Sequence, residues 1–427
     1  MKSDLTFWAL ASLCAGLAAC SDHDTIVYTG AARVDDGADH DGTEHAPELG
    51  PAYALLNDVP TADSSQLYLT VLPDAHAQDV DRGAGMELPR GSQAFAELGY
   101  VFVADGERFT LTRYEVTAEL ELVRPVELAF SQFGISFFEN FVVIDAERAY
   151  LTARDQDLII VWNPTTMAIV EDVPLINLEK NGFRGAFPSG RDILYAQNQL
   201  VRDAGRLYLP VSWSSWDDVT MDASFGVLGI STSDAHDQTL STTACASGGT
   251  FSTTGRDGKL YVLGSASWGP YRRYATTTLP DSALTRFDPA LNAFDDGYCQ
   301  AIQPLTDGDD GGILLEYAPG QFVLRVLDED LVTYSSSQDY WSDVQFACRT
   351  YQGDIDEAGT LTLTERPEMS TQANGCFGGL FSVDSAGYFF GEDSDAMGGT
   401  LLRWDGASMV PEVSVAAGYV TTFERIR

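Results

Sequence analysis

Gly255-Arg256-Asp257-Gly258 reads as a tight turn, Leu260-Tyr261-Val262-Leu263 as a short apolar strand, and Ala283-Leu284-Thr285-Arg286-Phe287-Asp288 as an alternating strand closed by an aromatic and an acid. Between the two strands lies a long stretch rich in aromatic residues, from Trp268 to Tyr274. A unit of this kind is only a few strands long and cannot bury its own apolar face. It must stack on a neighbour, so its recurrence along the chain implies an array of small sheets.

The unit does recur. Strand centres appear at Tyr68, Tyr100, Tyr150, Tyr208, Tyr261, Phe322 and Tyr388, spaced 32 to 66 residues apart. A second strand follows most of them, at 111–115, 158–162, 225–230, 284–288, 346–351 and 401–405. Period-two alternation and β-branched or aromatic content make these strands, and no amphipathic helix longer than a few turns interrupts them. A single sandwich rarely uses so many strands, and a β-helix would keep a tighter period. The expectation is an all-β β-propeller over residues 51–427, with seven blades favoured and six or eight as neighbouring counts. The clean alternation of Gly418–Ile426 has no partner nearby in sequence. It is expected to pair within the blade begun by Pro51–Leu56, closing the ring and removing an open edge.

The N-terminal segment has another role. Leu5–Leu17 is apolar over a length suited to a signal-peptide core and too short for a stable span. It ends in Leu17-Ala18-Ala19-Cys20, which looks like a bacterial lipobox: residues 1–19 would be removed and Cys20 would carry the lipid. Asp4 offsets Lys2, so the charged start is weak. Residues 20–50 are acidic, small and Gly-bearing, and read as a flexible tether. His40, Asp41, Glu44 and His45 in that tether have metal-ligand chemistry, but ordering a loose tail costs entropy, and a solvated spacer is the simpler reading.

The chain carries 25 Lys plus Arg against 63 Asp plus Glu, a formal charge of −38. That field repels phosphates and excludes nucleic acid as a natural partner. Four cysteines follow the anchor, at Cys245, Cys299, Cys348 and Cys376. In an exported chain without Cys-x-x-Cys spacing they read as two disulfides rather than a zinc site. Three connectivities exist, and pairing Cys245 with Cys299 and Cys348 with Cys376 closes the shortest loops.

Chemistry is harder to locate. The body holds only His76 and His236, and the chain lacks a Gly-x-Ser-x-Gly elbow, a His-Glu-x-x-His zinc motif and a nucleotide fingerprint. Acids are plentiful but none stands out as a glycosidase pair. The expectation is a protein that is not an enzyme, has no catalytic residues and holds no cofactor. Asp307-Gly308-Asp309-Asp310-Gly311-Gly312 and Glu392-Asp393-Ser394-Asp395 have oxygen ligands for calcium without the full loop spacing, and solvated turns are the favoured reading of both.

The loops say more. Trp213 and Trp216 follow the Tyr208 strand, and Trp268, Tyr271, Arg272, Arg273 and Tyr274 follow the Tyr261 strand. Tyr340 and Trp341 follow the Phe322 strand. If each loop joins the same pair of strands in its blade, all three project from one face. Exposed aromatics beside an Arg pair would suit a planar, anionic or sugar-like ligand. The alternative is that these side chains pack between blades or close the mouth of the ring.

With the lipobox, the tether and Asn198–Val211 in hand, the chain resembles the propeller lipoproteins encoded beside myxobacterial catecholate-siderophore (myxochelin) genes and outer-membrane receptors. The likeness would cover most of the mature chain through motifs generic to propellers. It implies a surface or periplasmic accessory that helps capture a ferric siderophore or serves its receptor; the expected form is a monomer anchored in the outer membrane through Cys20, facing periplasm or cell surface. The other reading is a surface interaction or adhesion protein that binds a protein partner or a polysaccharide.

Overall fold

The computed structural model describes residues 50–61, 65–76, 78–81, 83–134, 141–153, 158–174, 192–195, 201–203, 205–215, 220–264, 279–328, 348–369, 380–393 and 398–427. Among these residues no α-helix occurs, and the strands form seven small sheets. The fold is a seven-bladed β-propeller.

Blade 1 is built from Tyr419–Arg425, Tyr53–Pro60, Ser65–Leu72 and Met86–Leu88, in that spatial order. Blade 2 runs Gln93–Glu97, Tyr100–Asp105, Thr110–Val116 and Leu122–Ala129, and blade 3 Phe141–Val143, Ala149–Ala153, Leu158–Asn163 and Ala168–Pro174. In blade 4, Asp192–Tyr195 and Val201–Asp203 both pair with Arg206–Ser215, followed outward by Phe225–Ser231 and Gln238–Thr243. Blade 5 holds Gly249–Thr254, Leu260–Gly264, Ala283–Asp288 and Ala293–Ala301. Blade 6 holds Asp310–Ala318, Gln321–Leu327, Cys348–Ile355 and Leu361–Glu365, and blade 7 Leu380–Val383, Ala386–Asp393, Gly398–Trp404 and Met409–Val415. First strands of neighbouring blades touch at the joins of blades 5 and 6, 6 and 7, 7 and 1, and 1 and 2.

The ring closes as the C-terminal alternation implies. Tyr419–Arg425 pairs antiparallel with Tyr53–Pro60, Tyr53 standing opposite Arg425 and Leu55 opposite Phe423. Gly418 enters this strand at φ +82°, where a Cβ would lie 2.1 Å from the Asp58 carbonyl oxygen, so only glycine fits. A second clasp was not legible in the sequence. Gln78–Val80, from the connection between the third and fourth strands of blade 1, adds in parallel to Met409–Val415 and covers the outer edge of blade 7.

This closure corrects one phase of the repeat. Six of the seven strand centres lie on second strands of their blades, but Tyr68 lies on a third strand. The C-terminal strand supplies the first position of blade 1 and Tyr53–Pro60 the second, so the apparent first repeat is shifted by one.

The core lies between blades. Alternate side chains of each inner pair of strands face opposite neighbours: Tyr53, Leu55 and Phe423 pack towards blade 7, whereas Ala54, Leu56 and Leu69 pack towards blade 2. Buried tyrosine hydroxyls join successive blades through backbone carbonyls. Tyr150 donates to Ser231 and Tyr208 to Pro289, each at 2.9 Å and each across 81 residues of chain. The turns between third and fourth strands repeat too. Asn163, Asp288 and Asp405 each follow an aromatic residue, and each side-chain oxygen accepts two backbone N–H groups of its own turn. In the stretch that opened the reading, Gly258 turns at φ +71°, Tyr261 donates to Asp257 at 2.9 Å, and Lys259 pairs with Asp288 at 2.5 Å.

Candidate functional site

A propeller has two faces, and here they differ. Adjacent first strands run in the same direction: Thr422 and Glu424 of blade 1 meet Ala94 and Ala96 of blade 2 in that order. All second-to-third-strand connections therefore leave from one face. On the opposite face the turns are short, such as 98–99, 164–167, 289–292, 319–320 and 405–408.

On the first face the connections in blades 1, 2, 3 and 7 are four residues each, at 61–64, 106–109, 154–157 and 394–397. In three consecutive blades they are longer: 216–224 in blade 4, 265–282 in blade 5 and 328–347 in blade 6. The three aromatic stretches thus belong to equivalent connections of adjacent blades. We call this side the loop face.

The ends of these connections are well braced. Cys245, in the link between blades 4 and 5, forms a disulfide with Cys299 on the outer strand of blade 5. Cys348, at the far end of the blade 6 connection, is also disulfide-bonded, and Cys376 lies outside the described residues. Beside it, Arg349 forms an ion pair with Asp309 and lies 3.5 Å from Asp328 and 3.9 Å from Asp307. Two of the acids singled out for calcium, Asp307 and Asp309, therefore lie beside a guanidinium, which supplies positive charge in that turn. Among the described residues no group of three or more metal-ligating side chains is assembled. Glu392 and Asp393 end a blade 7 strand, and Asp395 lies outside the described residues.

The other sequence-selected residues divide as follows. Trp213 is only 1% exposed and packs with Leu207, Leu209 and Val211 against blade 3. This corrects its assignment to a ligand face. The strand Arg206–Ser215 runs past it, so its side chain follows the inward alternation and the connection begins only after Ser215. Trp216, Trp268, Tyr271, Arg272, Arg273, Tyr274, Tyr340 and Trp341 lie outside the described residues, as do Cys20 and the tether histidines. The two body histidines sit at turns against neighbouring blades, His76 at 3.0 Å from Glu412 and His236 at 3.4 Å from Glu171.

No protein-family profile and no curated protein matches this sequence. The likeness to solved proteins is one of fold. A protein from Lactobacillus plantarum is 11% identical over 88% of this chain and 100% of its own, with a TM-score of 0.51. A candidate 6-phosphogluconolactonase from Bacteroides fragilis is 9% identical over 90% of this chain and 100% of its own, with a TM-score of 0.50. Apo AztD from Citrobacter koseri is 12% identical over 86% of this chain and 84% of its own, with a TM-score of 0.45. The first two support the architecture alone and leave the chemistry to the site.

Sequence reasoning missed the charged groups buried in the inner strands. Glu316, on the first strand of blade 6, accepts the Thr254 N–H of blade 5 at 2.6 Å, and burial pushes its carboxyl up to about 7. Glu424, on the closing strand, accepts the Ala96 N–H at 2.7 Å; burial and the nearby Glu97 hold its carboxyl well above the usual range. Arg325 is 1% exposed, and burial brings its guanidinium down to about 10. For Glu316 and Arg325 one signal was available: each is a lone charge inside an apolar run, as in Ile313-Leu314-Leu315-Glu316-Tyr317 and Phe322-Val323-Leu324-Arg325-Val326-Leu327.

Proposed function

We propose that the protein is an exported, lipid-anchored binding module whose loop face over blades 4 to 6 engages a planar aromatic anion, with iron-loaded catecholates as the ligand class. It acts without catalysis, as an accessory to ferric-siderophore capture. One observation carries this reading: the longest second-to-third-strand connections fall in three adjacent blades and leave from a single face. A rigid ring that presents long loops on one side is how scaffolds of this kind display ligand residues. The sequence of those loops supplies Trp268, Arg272, Arg273 and Trp341, which suit stacking and charge-assisted bonding to a catecholate complex.

The net charge of −38 opposes an anionic ligand at long range, so the arginines must act locally and the affinity should depend on salt in a way that reports them. The test is titration of tryptophan fluorescence with ferric catecholate. Saturable quenching that weakens about tenfold in an Arg272→Ala/Arg273→Ala variant supports the reading. An unchanged signal, with capture of a matrix polysaccharide from native membranes, transfers the loop face to adhesion.

A further inference from the structure

The inner strand of a propeller blade has one edge without a strand partner, and its backbone groups must be satisfied by other means. At the join between blades 1 and 2 the closing strand does this with side chains. The Thr422 hydroxyl donates to the Ala94 carbonyl at 3.4 Å, and the Glu424 carboxyl accepts from the Ala96 N–H at 2.7 Å. Glu424 Oε2 makes that bond, while Oε1 is buried with no hydrogen-bond partner. The facing strand Gln93–Glu97 brings a second carboxylate, Glu97, whose charge opposes ionisation of Glu424.

Among the described residues, the other elements packed on the closing strand bring no cation to this carboxyl. Tyr53 and Asp58, on the paired strand, are bonded to Asp384 and to the Tyr419 hydroxyl. Leu380–Val383 carries no titratable group, and Tyr388 of blade 7 packs on Phe423, on the opposite side of the closing strand. Arg425 pairs with Asp384 at 2.7 Å, and the Arg427 guanidinium binds the Val116 and Thr117 carbonyls.

We propose that Glu424 makes the closing strand a proton-controlled latch. As a neutral acid it fits the dry seam between blades 1 and 2 and holds the inner edge of blade 2. Loss of its proton places an uncompensated carboxylate there beside Glu97, and the end of the strand is released towards solvent. The latch belongs to the ring and is independent of any ligand on the loop face.

Hydrogen exchange read by mass spectrometry on the full-length protein tests this, after correction for the intrinsic pH dependence of exchange. As pH is raised from acidic to alkaline, protection of amides in 419–427 and 93–97 should fall about tenfold or more in the natural protein and stay level in Glu424→Gln. Glu97→Gln removes the neighbouring charge that opposes ionisation of Glu424, so release should begin at lower pH than in the natural protein. Glu316→Gln, at the join of blades 5 and 6, should leave the exchange of these two segments as in the natural protein. Equal pH dependence in the natural protein and Glu424→Gln overturns the proposal. Should Glu424→Gln fail to fold, an unmoved midpoint in Glu97→Gln overturns it.

Discussion

Breaking the Cys245–Cys299 disulfide should weaken the ring by a calculable amount. The bond joins residues 54 apart in sequence and ties the entrance of blade 5 to its outermost strand, with all but the last two residues of the blade enclosed in the cross-linked loop. In the chain-entropy account, closing a loop of that separation removes about 14 cal/mol/K from the unfolded ensemble, or about 4 kcal/mol at room temperature. Residual structure in the unfolded chain reduces this, so a loss of about 2–4 kcal/mol is expected for Cys245→Ser/Cys299→Ser. The assay is urea unfolding of the variant beside the natural protein, followed by tryptophan fluorescence and by circular dichroism so that coincident transitions can be verified. Because Cys348 is in a separate disulfide, the double substitution isolates this one cross-link, as reduction with a thiol would not. A loss below about 0.5 kcal/mol, or a gain, would refute the argument that the bond acts by restraining blade 5 in the unfolded chain.

Other joins give sharper local tests. Glu316 has a folded-state value raised to about 7 from an ordinary 4.5, so its contribution is fully present below about pH 4.5 and is lost as pH rises through about 7. That rise corresponds to about 3 kcal/mol, and Glu316→Gln should flatten the unfolding midpoint across that window. Tyr208→Phe removes the donor to the buried Pro289 carbonyl and should cost about 1–2 kcal/mol in urea unfolding; Tyr150→Phe, at the preceding join, should add to it within about 0.5 kcal/mol. Removing residues 418–427 strips the ring of buried Val420, Phe423 and Ile426, each worth roughly 1.5–3 kcal/mol, which is comparable to the whole stability of a domain. That chain should lose its near-ultraviolet circular dichroism; a native spectrum would show that the ring does not depend on its closing strand.

The architecture was legible because it is repetitive and local. Tyr100, Tyr150, Tyr208, Tyr261, Phe322 and Tyr388 recur on second strands, and two of them use the hydroxyl for the same bond to the next blade. The partnerless alternation of the last strand announced closure in the same way. What escaped was non-local. Tyr68 looks like its counterparts until the C-terminal strand is placed ahead of it, and Gln78–Val80 is too short to declare a parallel partner more than three hundred residues away. Trp213 was misplaced because a ten-residue strand carried it past the point where the sequence turns polar. Asp307 and Asp309 resemble cation ligands in sequence, yet the neighbour they meet is Arg349, which arrives from another strand. Glu316 stands out as a lone charge in an apolar run, but Glu424, beside Arg425, is visible only once it is known that inner strands have a bare edge to satisfy.

The functional account stands or falls on the loop face of blades 4, 5 and 6. Hydrogen exchange of the full-length protein with and without saturating ferric catecholate measures it directly. The account predicts added protection in 216–224, 265–282 and 328–347, with the short turns 98–99, 164–167 and 289–292 unchanged. Protection centred on those turns, or none anywhere at saturation, would contradict it.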